Sequence, residues 1–192
     1  MEYKAQSLTK YLNDLSAKLD APGGGSAAAM NAAMGASLLS MVISFTLGKL
    51  EYLKYEAELK VILIKSAKLK DDLLNLVDLD VLAYKSKDPR KAMDVPLMLA
   101  RLCYEGLKML SPLIKKTNVN LISDIAIAAI FLESAFSSAR LNVDINLKIL
   151  NDKKLACLIN KELCWKAKLV KQVRAKMEGK AGKVIRGKKG SK

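Results

Sequence analysis

The sequence contains no histidine among its 192 residues. This absence excludes catalytic triads that use histidine, histidine zinc ligands and imidazole proton shuttles, and we expect no metal site. Acid–base chemistry then has to use carboxylates, lysine, tyrosine, backbone groups or water. The three cysteines, Cys103, Cys157 and Cys164, form no Cys-x-x-Cys pair. We expect them to be buried small hydrophobic side chains in a reducing compartment.

Glycine, proline and aromatic residues are also scarce, with 10 glycines, 4 prolines and 5% aromatic side chains. Apolar residues make up 51% of the chain, and no stretch alternates convincingly between apolar and polar side chains. Sparse helix breakers combined with abundant alanine and leucine favour helices over strands. We therefore predict an all-α fold, a compact helical bundle with long central helices.

Positive charge is concentrated in the last quarter of the chain. Fourteen of the 33 Lys and Arg residues follow residue 150, against three of the 19 Asp and Glu residues. The first 150 residues are nearly balanced. We predict a single helical domain over residues 1–177 and a basic, disordered tail over 178–192 that has weak affinity for nucleic acid through phosphate contacts.

One long apolar segment, residues 27–47, raises the question of a membrane span. It is rich in small and hydroxyl-bearing residues, and no second segment of the same kind is expected. A buried central helix therefore explains it better than a spanning helix does. The N-terminus lacks the apolar core of a signal peptide, so a cytoplasmic protein without membrane contact is the expectation.

Apolar periodicity and breakers divide the chain into helices. The expected loop at residues 85–94 contains Asp88-Pro89, Pro96 suits the first turn of the next helix, and Ser26 is a plausible helix N-cap. Two apolar helices rich in small residues imply close backbone packing or a dimer interface. The predicted helices cover residues 7–19, 26–47, 50–84, 96–116, 121–150 and 152–177.

The turn Pro22-Gly23-Gly24-Gly25-Ser26 precedes the first of these small-residue helices. Consecutive glycines allow backbone N–H groups to approach a ligand, and a helix N-terminus favours a carboxylate, a phosphate or developing negative charge. No Gly-Lys-Ser/Thr follows, which excludes a nucleotide P-loop. From the residues alone, a tight turn between helices and a binding site are both open interpretations.

Three aspartates stand in apolar contexts where a raised pKa would suit acid–base work: Asp78, Asp80 and Asp124. A structural role is the alternative, because Asp124 follows Ser123 at the start of a helix, where a carboxylate is favourable. Lys49 ends a helix, where a lysine is usually solvated. Several asparagines near helix boundaries suit capping or recognition of a heterocycle edge, namely Asn118, Asn120, Asn142 and Asn146.

Several segments, taken in order, resemble the cyclodeaminase/cyclohydrolase family, which is the C-terminal domain of formiminotransferase-cyclodeaminase and its stand-alone bacterial relatives. Residues 22–42 read PGGGSAAAMNAAMGASLLSMV, and FTLGK follows at 45–49. VDLDVLAY stands at 77–84 and DVPLMLARLC at 94–103. TNVNLISDIAIAA stands at 117–129 and LNVDINLK at 141–148. The segment between VDLDVLAY and DVPLMLARLC is shorter than in the family, and Thr117 replaces a glycine.

The resemblance implies an all-helical, homodimeric enzyme that acts on a tetrahydrofolate one-carbon derivative and binds no other cofactor tightly. Family members either expel ammonia from 5-formiminotetrahydrofolate or hydrolyse 5,10-methenyltetrahydrofolate. By the resemblance, Asp80 and Asp124 are catalytic, and substrate binding falls to Gly23, Gly24, Gly25, Ser26, Lys49, Asn118, Asn120 and Asn142. The alternatives are a helical scaffold that binds a metabolite or partner protein, and a nucleic-acid-associated protein.

Overall fold

The computed structural model describes residues 2–187, which fold into a helical bundle. The all-α prediction is confirmed. Three short 3₁₀ turns, Tyr3–Ala5, Leu50–Tyr55 and Val119–Leu121, precede α1, α3 and α5. The six α-helices are α1 (Leu8–Ser16), α2 (Gly24–Ser44), α3 (Glu56–Lys85), α4 (Pro89–Leu113), α5 (Ile122–Leu150) and α6 (Lys153–Ile185).

Helices α2 and α5 run antiparallel through the centre of the bundle, as the small residues on both predict. The Asn31 side chain donates a hydrogen bond of 3.0 Å to the Phe131 carbonyl. At Gly35 an added Cβ would lie 3.1 Å from Leu132 and 3.2 Å from the carbonyl oxygen of Ala128. Glycine and alanine therefore let the two backbones approach more closely than larger side chains would allow.

Around this pair, α3 packs on α2, α4 packs on α5 and α3, and α6 lies across α4 and α5. The core between these helices consists of fully buried aliphatic and aromatic side chains. Representative members are Leu39, Leu73, Leu107, Leu132 and Phe136.

The connection between α3 and α4 is much shorter than the predicted loop at 85–94. Helix α4 begins at Pro89, and the Asp88 carboxylate accepts the backbone N–H of Arg90 at 2.9 Å. The Asp-Pro pair is thus an N-cap followed by a proline at the first helical position, a favourable helix start. Pro96 consequently lies inside α4 and not in its first turn, so both predictions are wrong.

Helix α6 extends to Ile185, so the disorder predicted from residue 178 is wrong for residues 178–185. The buried side chains of Met177 and Ala181 continue the apolar stripe of this helix past the expected boundary. Two glycines among lysines obscure that stripe in the sequence. The rest of the predicted tail, residues 188–192, lies outside the described residues, and weak nucleic-acid affinity stays a prediction.

Two further sequence expectations need correction. Cys103 is buried as predicted, whereas Cys157 and Cys164 lie exposed on α6. The apolar segment at 27–47 is matched by a second one, since Gly24–Ser44 and Val119–Leu150 both have the length and composition of a membrane span. Within the bundle 56% and 50% of their most apolar windows are buried, as in the core helices of many proteins.

Candidate active site at the glycine-rich end of the bundle

The glycine-rich turn forms the beginning of α2. Gly23 is the N-cap in an extended conformation, and the first helical bond runs from the Ala27 N–H to the Gly23 carbonyl at 3.0 Å. Ser26 is therefore the third residue of the helix, and its predicted role as N-cap is wrong. A glycine N-cap provides no side-chain acceptor, so the N–H groups of this first turn need partners from elsewhere.

One of these partners is Asp80, which approaches from the last turns of α3. The backbone N–H of Ser26 faces the Asp80 carboxylate and acts to lower the pKa of this carboxyl. A Cβ added at Gly25 would lie 2.6 Å from Asp80 Cγ and would overlap the carboxylate oxygens. The absence of a side chain at Gly25 is thus what lets the carboxylate reach the helix N-terminus.

The surroundings of Asp80 favour its protonated form. Burial raises the pKa of this carboxyl above its ordinary value, and the Ser26 N–H opposes that effect only in part. The other titratable groups around it are Tyr11 on α1, Asp20 before α2 and Tyr84 on α3. No described cation stands among these neighbours to oppose the raised pKa of Asp80, and a raised pKa suits a carboxyl that both accepts and releases a proton.

A cleft of about 280 Å³ opens beside this carboxylate. Of the residues predicted to bind substrate, Gly23, Gly24, Gly25 and Asn142 line the cleft, whereas Ser26 is buried behind them. The complete lining consists of Asp20, Ala21, Gly23, Gly24, Gly25, Asp80, Ala83, Tyr84, Ala92, Pro96, Asn142, Ile145 and Asn146.

Asn146 connects two walls of the cleft. Its side-chain amide donates to the carbonyl of Ala92 on α4 at 2.8 Å and to the carbonyl of Asn142 at 2.9 Å. The amide oxygen is left for other partners. The sequence pattern marks Asn146 only as a helix-boundary amide and gives no role to Asp20 or Tyr84, because their place in the cleft depends on how α3, α4 and α5 pack.

The remaining predicted site residues lie at the opposite end of the bundle. Lys49 follows α2, and Asn118 and Asn120 flank the turn before α5. Asp124 is in the first turn of α5, where its charge is favourable for the helix. Eighteen residues separate Asp124 from Asn142 along one helix, which corresponds to roughly 27 Å. Within a single chain, Asp80 and Asp124 therefore do not share a site.

Asp78 has a structural role, although it stands two residues from Asp80. Its two carboxylate oxygens accept the backbone N–H groups of Tyr3, at 2.5 Å, and Lys4, at 3.4 Å. It thereby attaches the N-terminal 3₁₀ turn to α3. Since both oxygens are engaged and the side chain is buried, Asp78 is not available to a ligand in the cleft.

The cleft lies in the part of the chain that matches a known family. The family model described as formiminotransferase-cyclodeaminase matches residues 7–87 and 86–164. The chain belongs to this family. The match divides at residues 86–87, which is the short α3–α4 connection beside the cleft.

Relatives of two kinds are similar to this chain. A methenyltetrahydrofolate cyclohydrolase of Methylorubrum extorquens is 35% identical, and the alignment covers 79% of this chain and 84% of the relative. A formimidoyltransferase-cyclodeaminase of Rattus norvegicus is 31% identical over 76% of this chain but only 31% of its own length. The chain thus spans about a third of that longer protein.

A solved structure shares the fold. The formiminotetrahydrofolate cyclodeaminase of Thermotoga maritima superposes with a TM-score of 0.91, covering 96% of this chain and all of that chain, at 24% identity. At that identity the likeness bears on the fold alone. The predicted resemblance to the cyclodeaminase/cyclohydrolase family is confirmed.

Proposed function

We propose that this protein is a folate one-carbon enzyme that hydrolyses 5,10-methenyltetrahydrofolate to a formyltetrahydrofolate. The observation that carries the proposal is the partly buried Asp80 carboxyl at the glycine-lined wall of the cleft. The cyclohydrolase relative matches this chain over most of both lengths, which supports hydrolysis as the first candidate.

The substrate requires little from the enzyme besides positioning and proton transfer. Its methenyl carbon is bonded to two nitrogens, carries positive charge and is already electrophilic. Asp80 as a carboxylate accepts a proton from water while the water oxygen bonds to that carbon. The carbon–nitrogen bond of the ring then breaks as protonated Asp80 returns its proton to the departing nitrogen. The added oxygen releases its remaining proton to solvent and becomes the formyl carbonyl. Such acid–base assistance contributes typically ~10²–10⁴ in rate.

Cyclodeamination of 5-formiminotetrahydrofolate is the second candidate, because the formimidoyltransferase-cyclodeaminase relatives match the same part of the chain. In that reaction the amine nitrogen of the aminobenzoyl arm attacks the formimino carbon, which closes the methenyl ring, and ammonia leaves. Asp80 in its protonated form would then donate the proton that the departing amine needs. The raised pKa of Asp80 suits this role as well as the first.

A direct assay separates the two candidates. Purified protein is incubated with methenyltetrahydrofolate and, separately, with formiminotetrahydrofolate, and the methenyl absorbance is followed. Absorbance lost with the first substrate supports hydrolysis, and absorbance gained with the second supports cyclodeamination. An Asp80→Asn variant controls for contaminating activity. The absence of change with both substrates would contradict the proposed function.

The enzyme is further proposed to be a homodimer that buries one face of the central helices. This uncharged face is contiguous across the two helices, because Asn31 and Phe131 are hydrogen-bonded to each other. Faces of this kind commonly mark protein interfaces. Its partly or fully exposed members are Met30, Asn31, Met34, Ser37, Leu38 and Met41 on α2, Phe45 directly after α2, and Ile127, Ile130, Phe131, Ser134, Ser138, Leu141 and Ile145 on α5.

A second copy would also supply missing parts of the site. The cleft of one chain, at about 280 Å³, lies below the ~300–1,000 Å³ of typical small-molecule sites. Eighteen residues are five full helical turns, so Asp124 and Asn142 lie on the same side of α5. A two-fold axis across the uncharged face would place the Asp124 of one chain beside the Asp80 of the other.

Mixed dimers test this arrangement. Asp80→Asn and Asp124→Asn chains carrying different tags are co-expressed, and dimers that contain one of each are purified. If each site uses Asp80 and Asp124 from different chains, one site of the mixed dimer is intact, and it retains about half of the wild-type activity. Both parent homodimers should be inactive. Full activity of the Asp124→Asn homodimer, or an inactive mixed dimer, would contradict the shared site.

A further inference from the structure

The N-terminal residues 3–16 cross the end of the bundle that contains the cleft, and we call them the N-terminal strap. The strap is attached to α3 by the bonds from its backbone to Asp78. Within it, the Tyr3 hydroxyl donates to Asp14 at 2.9 Å, and Tyr3 and Tyr11 pack edge to face with ring centroids 5.5 Å apart. Both tyrosines are buried, so the strap presents two similar side chains to the same region.

Of the two tyrosine hydroxyls, the one on Tyr11 forms a hydrogen bond with α2, whereas the one on Tyr3 bonds within the strap. The Tyr11 hydroxyl lies 3.1 Å from Ser26 Oγ, and the Ser26 side chain is completely buried. The backbone N–H of the same serine faces the Asp80 carboxylate, which fills the space beside Gly25. Tyr11, Ser26 and Asp80 therefore form a continuous series of polar contacts from the strap to the carboxylate in the cleft.

These polar contacts take the place of a side-chain N-cap, which α2 lacks. The N-cap of α2 is Gly23, which has no side chain to accept an N–H of the first turn, and two more glycines follow it. Glycine is the residue that least restricts the backbone, so this turn has little local stiffness of its own. Ser26 is fixed on its side-chain face by Tyr11 and on its backbone by Asp80.

Electrostatics keep Tyr11 a neutral hydrogen-bonding partner. Burial raises the pKa of its phenol, the bond with Ser26 lowers it, and the charge of nearby Asp80 raises it. Tyr11 is absent from the lining of the cleft, so it does not touch a ligand there.

We propose that Tyr11 is a positioning residue for the reaction: through Ser26 it holds the first turn of α2, and with it the Asp80 carboxylate, in the geometry that proton transfer requires. The inference rests on the proposed function, in which Asp80 transfers the proton. It assigns Tyr11 alone among the strap residues to the positioning of Asp80, although Tyr11 does not line the cleft.

The test compares Tyr11→Phe with Tyr3→Phe. Each variant keeps its ring in the edge-to-face pair and loses one hydroxyl, but only the Tyr11 hydroxyl leads to Ser26. For Tyr11→Phe we expect kcat to fall about tenfold with KM within about twofold. The acid limb of the kcat profile should move to higher pH, because a loosened Ser26 N–H stabilises the Asp80 carboxylate less well. Tyr3→Phe should leave kcat and the acid limb in place.

Ser26→Ala removes the other hydroxyl of the Tyr11–Ser26 hydrogen bond and provides a second variant. It should reproduce the shift of Tyr11→Phe, and the double variant should lose no more than either single variant, since both hydroxyls belong to one hydrogen bond. The proposal would be overturned if the losses of kcat in Tyr11→Phe and Ser26→Ala added fully in the double variant. It would also be overturned if Tyr3→Phe and Tyr11→Phe had equal effects, or if the acid limb did not move in Tyr11→Phe.

A readout without substrate separates this proposal from the proposed function. The pKa of the Asp80 carboxyl is measured by carbon NMR titration in the wild type, Tyr11→Phe and Tyr3→Phe, with Asp80→Asn identifying the resonance. We expect the pKa to rise in Tyr11→Phe only. Failure of the folate assays with this NMR result would overturn the proposed function and leave the polar contacts from Tyr11 to Asp80 established; an unchanged Asp80 pKa in Tyr11→Phe would overturn the role of Tyr11.

Discussion

The two ends of the bundle contain similar polar residues but use them in different ways. At the far end, Thr46 Oγ1 donates to the Val42 carbonyl at 2.7 Å and accepts the Asn118 N–H at 3.0 Å. The Asn118 side chain in turn accepts the Asn120 N–H at 3.1 Å. Polar groups that are buried together and bond to one another hold the chain in place and leave little for a ligand.

At the glycine-rich end, by contrast, polar groups line an open cleft. Asp80 is partly buried with a raised pKa, and the backbone N–H of Ser26 faces its carboxylate. The amides of Asn142 and Asn146 face the same space. The difference shows that an asparagine or aspartate in an apolar context indicates a binding site only where some of its hydrogen-bonding groups have no partner within the protein. Variants at each end should therefore affect different properties.

The largest effect is expected from Asp80→Asn. Asparagine keeps the shape and can accept the Ser26 N–H, but it cannot take or give the proton. Activity should fall by about 10²–10⁴-fold, the usual contribution of a general acid or base. The midpoint of thermal unfolding should stay the same or rise, because a partly buried carboxylate is removed. Asp78→Asn is the matched control, and a loss of activity as large as that of Asp80→Asn would contradict the distinction between the two aspartates.

Gly25→Ala should have the next largest effect. The new methyl group would overlap the Asp80 carboxylate, which has to move out of its place at the helix N-terminus. We expect activity to fall at least about tenfold and the free energy of unfolding to fall by about 1–3 kcal/mol, as for other overpacked sites. Both are measured by steady-state assay and denaturant titration.

Gly24→Ala is the control for that variant, since a Cβ at Gly24 meets nothing within 4 Å. Alanine there should cost clearly less activity than alanine at Gly25, because its methyl group leaves the Asp80 carboxylate in place and alanine also suits a helix better than glycine does. Equal losses from the two substitutions would show that the turn needs glycine for its backbone and not for space beside Asp80.

At the far end, Thr46→Val should reduce stability more than activity. Valine has the same shape but lacks the hydroxyl, so the buried N–H of Asn118 loses its acceptor. An unsatisfied buried donor costs about 1–3 kcal/mol of unfolding free energy. Turnover by the folded protein should stay within about twofold at saturating substrate. A strong loss of kcat at unchanged stability would show that the hydrogen bond between Thr46 and Asn118 takes part in the chemistry directly.

Much of the fold could be predicted from the sequence because its helices are long and periodic. The small residues of α2 and α5 predict their close packing, which the approach at Gly35 confirms. The start of α4 was missed because Asp88-Pro89 suits a loop as well as a helix N-cap, and only the packing of Met93 and the residues after it decides between them.

The site could be predicted only in part. Gly23–Gly25, Asp80 and Asn142 do meet in one cleft, and the family segments identify them. The same segments include Asn118 and Asp124, which lie at the other end of the bundle. A resemblance between sequences gives the order of residues along the chain, and it does not show which residues lie close together in the fold. The role of Tyr11 depends on where α1 crosses α2, a contact between residues 15 positions apart that carries no local sequence signal.

The smallest expected effect concerns stability against pH and again compares two aspartates. Burial raises the pKa of Asp80 in the folded state above its value of 3.8 in the unfolded chain. At a pH between these two pKa values, the folded protein binds more protons than the unfolded chain does. The contribution of Asp80 to stability therefore falls as pH rises through this window. The pKa of Asp14 is lowered by its hydrogen bonds from Lys10 and Tyr3, so its contribution is present above pH 3.8 and is lost as pH falls.

Urea titrations of the wild type, Asp80→Asn and Asp14→Asn at several pH values measure both contributions. The stability of Asp80→Asn relative to the wild type should increase as pH rises above about 4, whereas that of Asp14→Asn should decrease as pH rises from about 2 to about 4. Opposite pH dependences of the two variants would distinguish Asp80, whose carboxyl is stabilised in its protonated form, from Asp14, whose carboxylate is stabilised by an ion pair and hydrogen bonds. Curves of the same sign would mean that Asp80 is stabilised as an anion, and its proposed role as the proton-transferring group would fail.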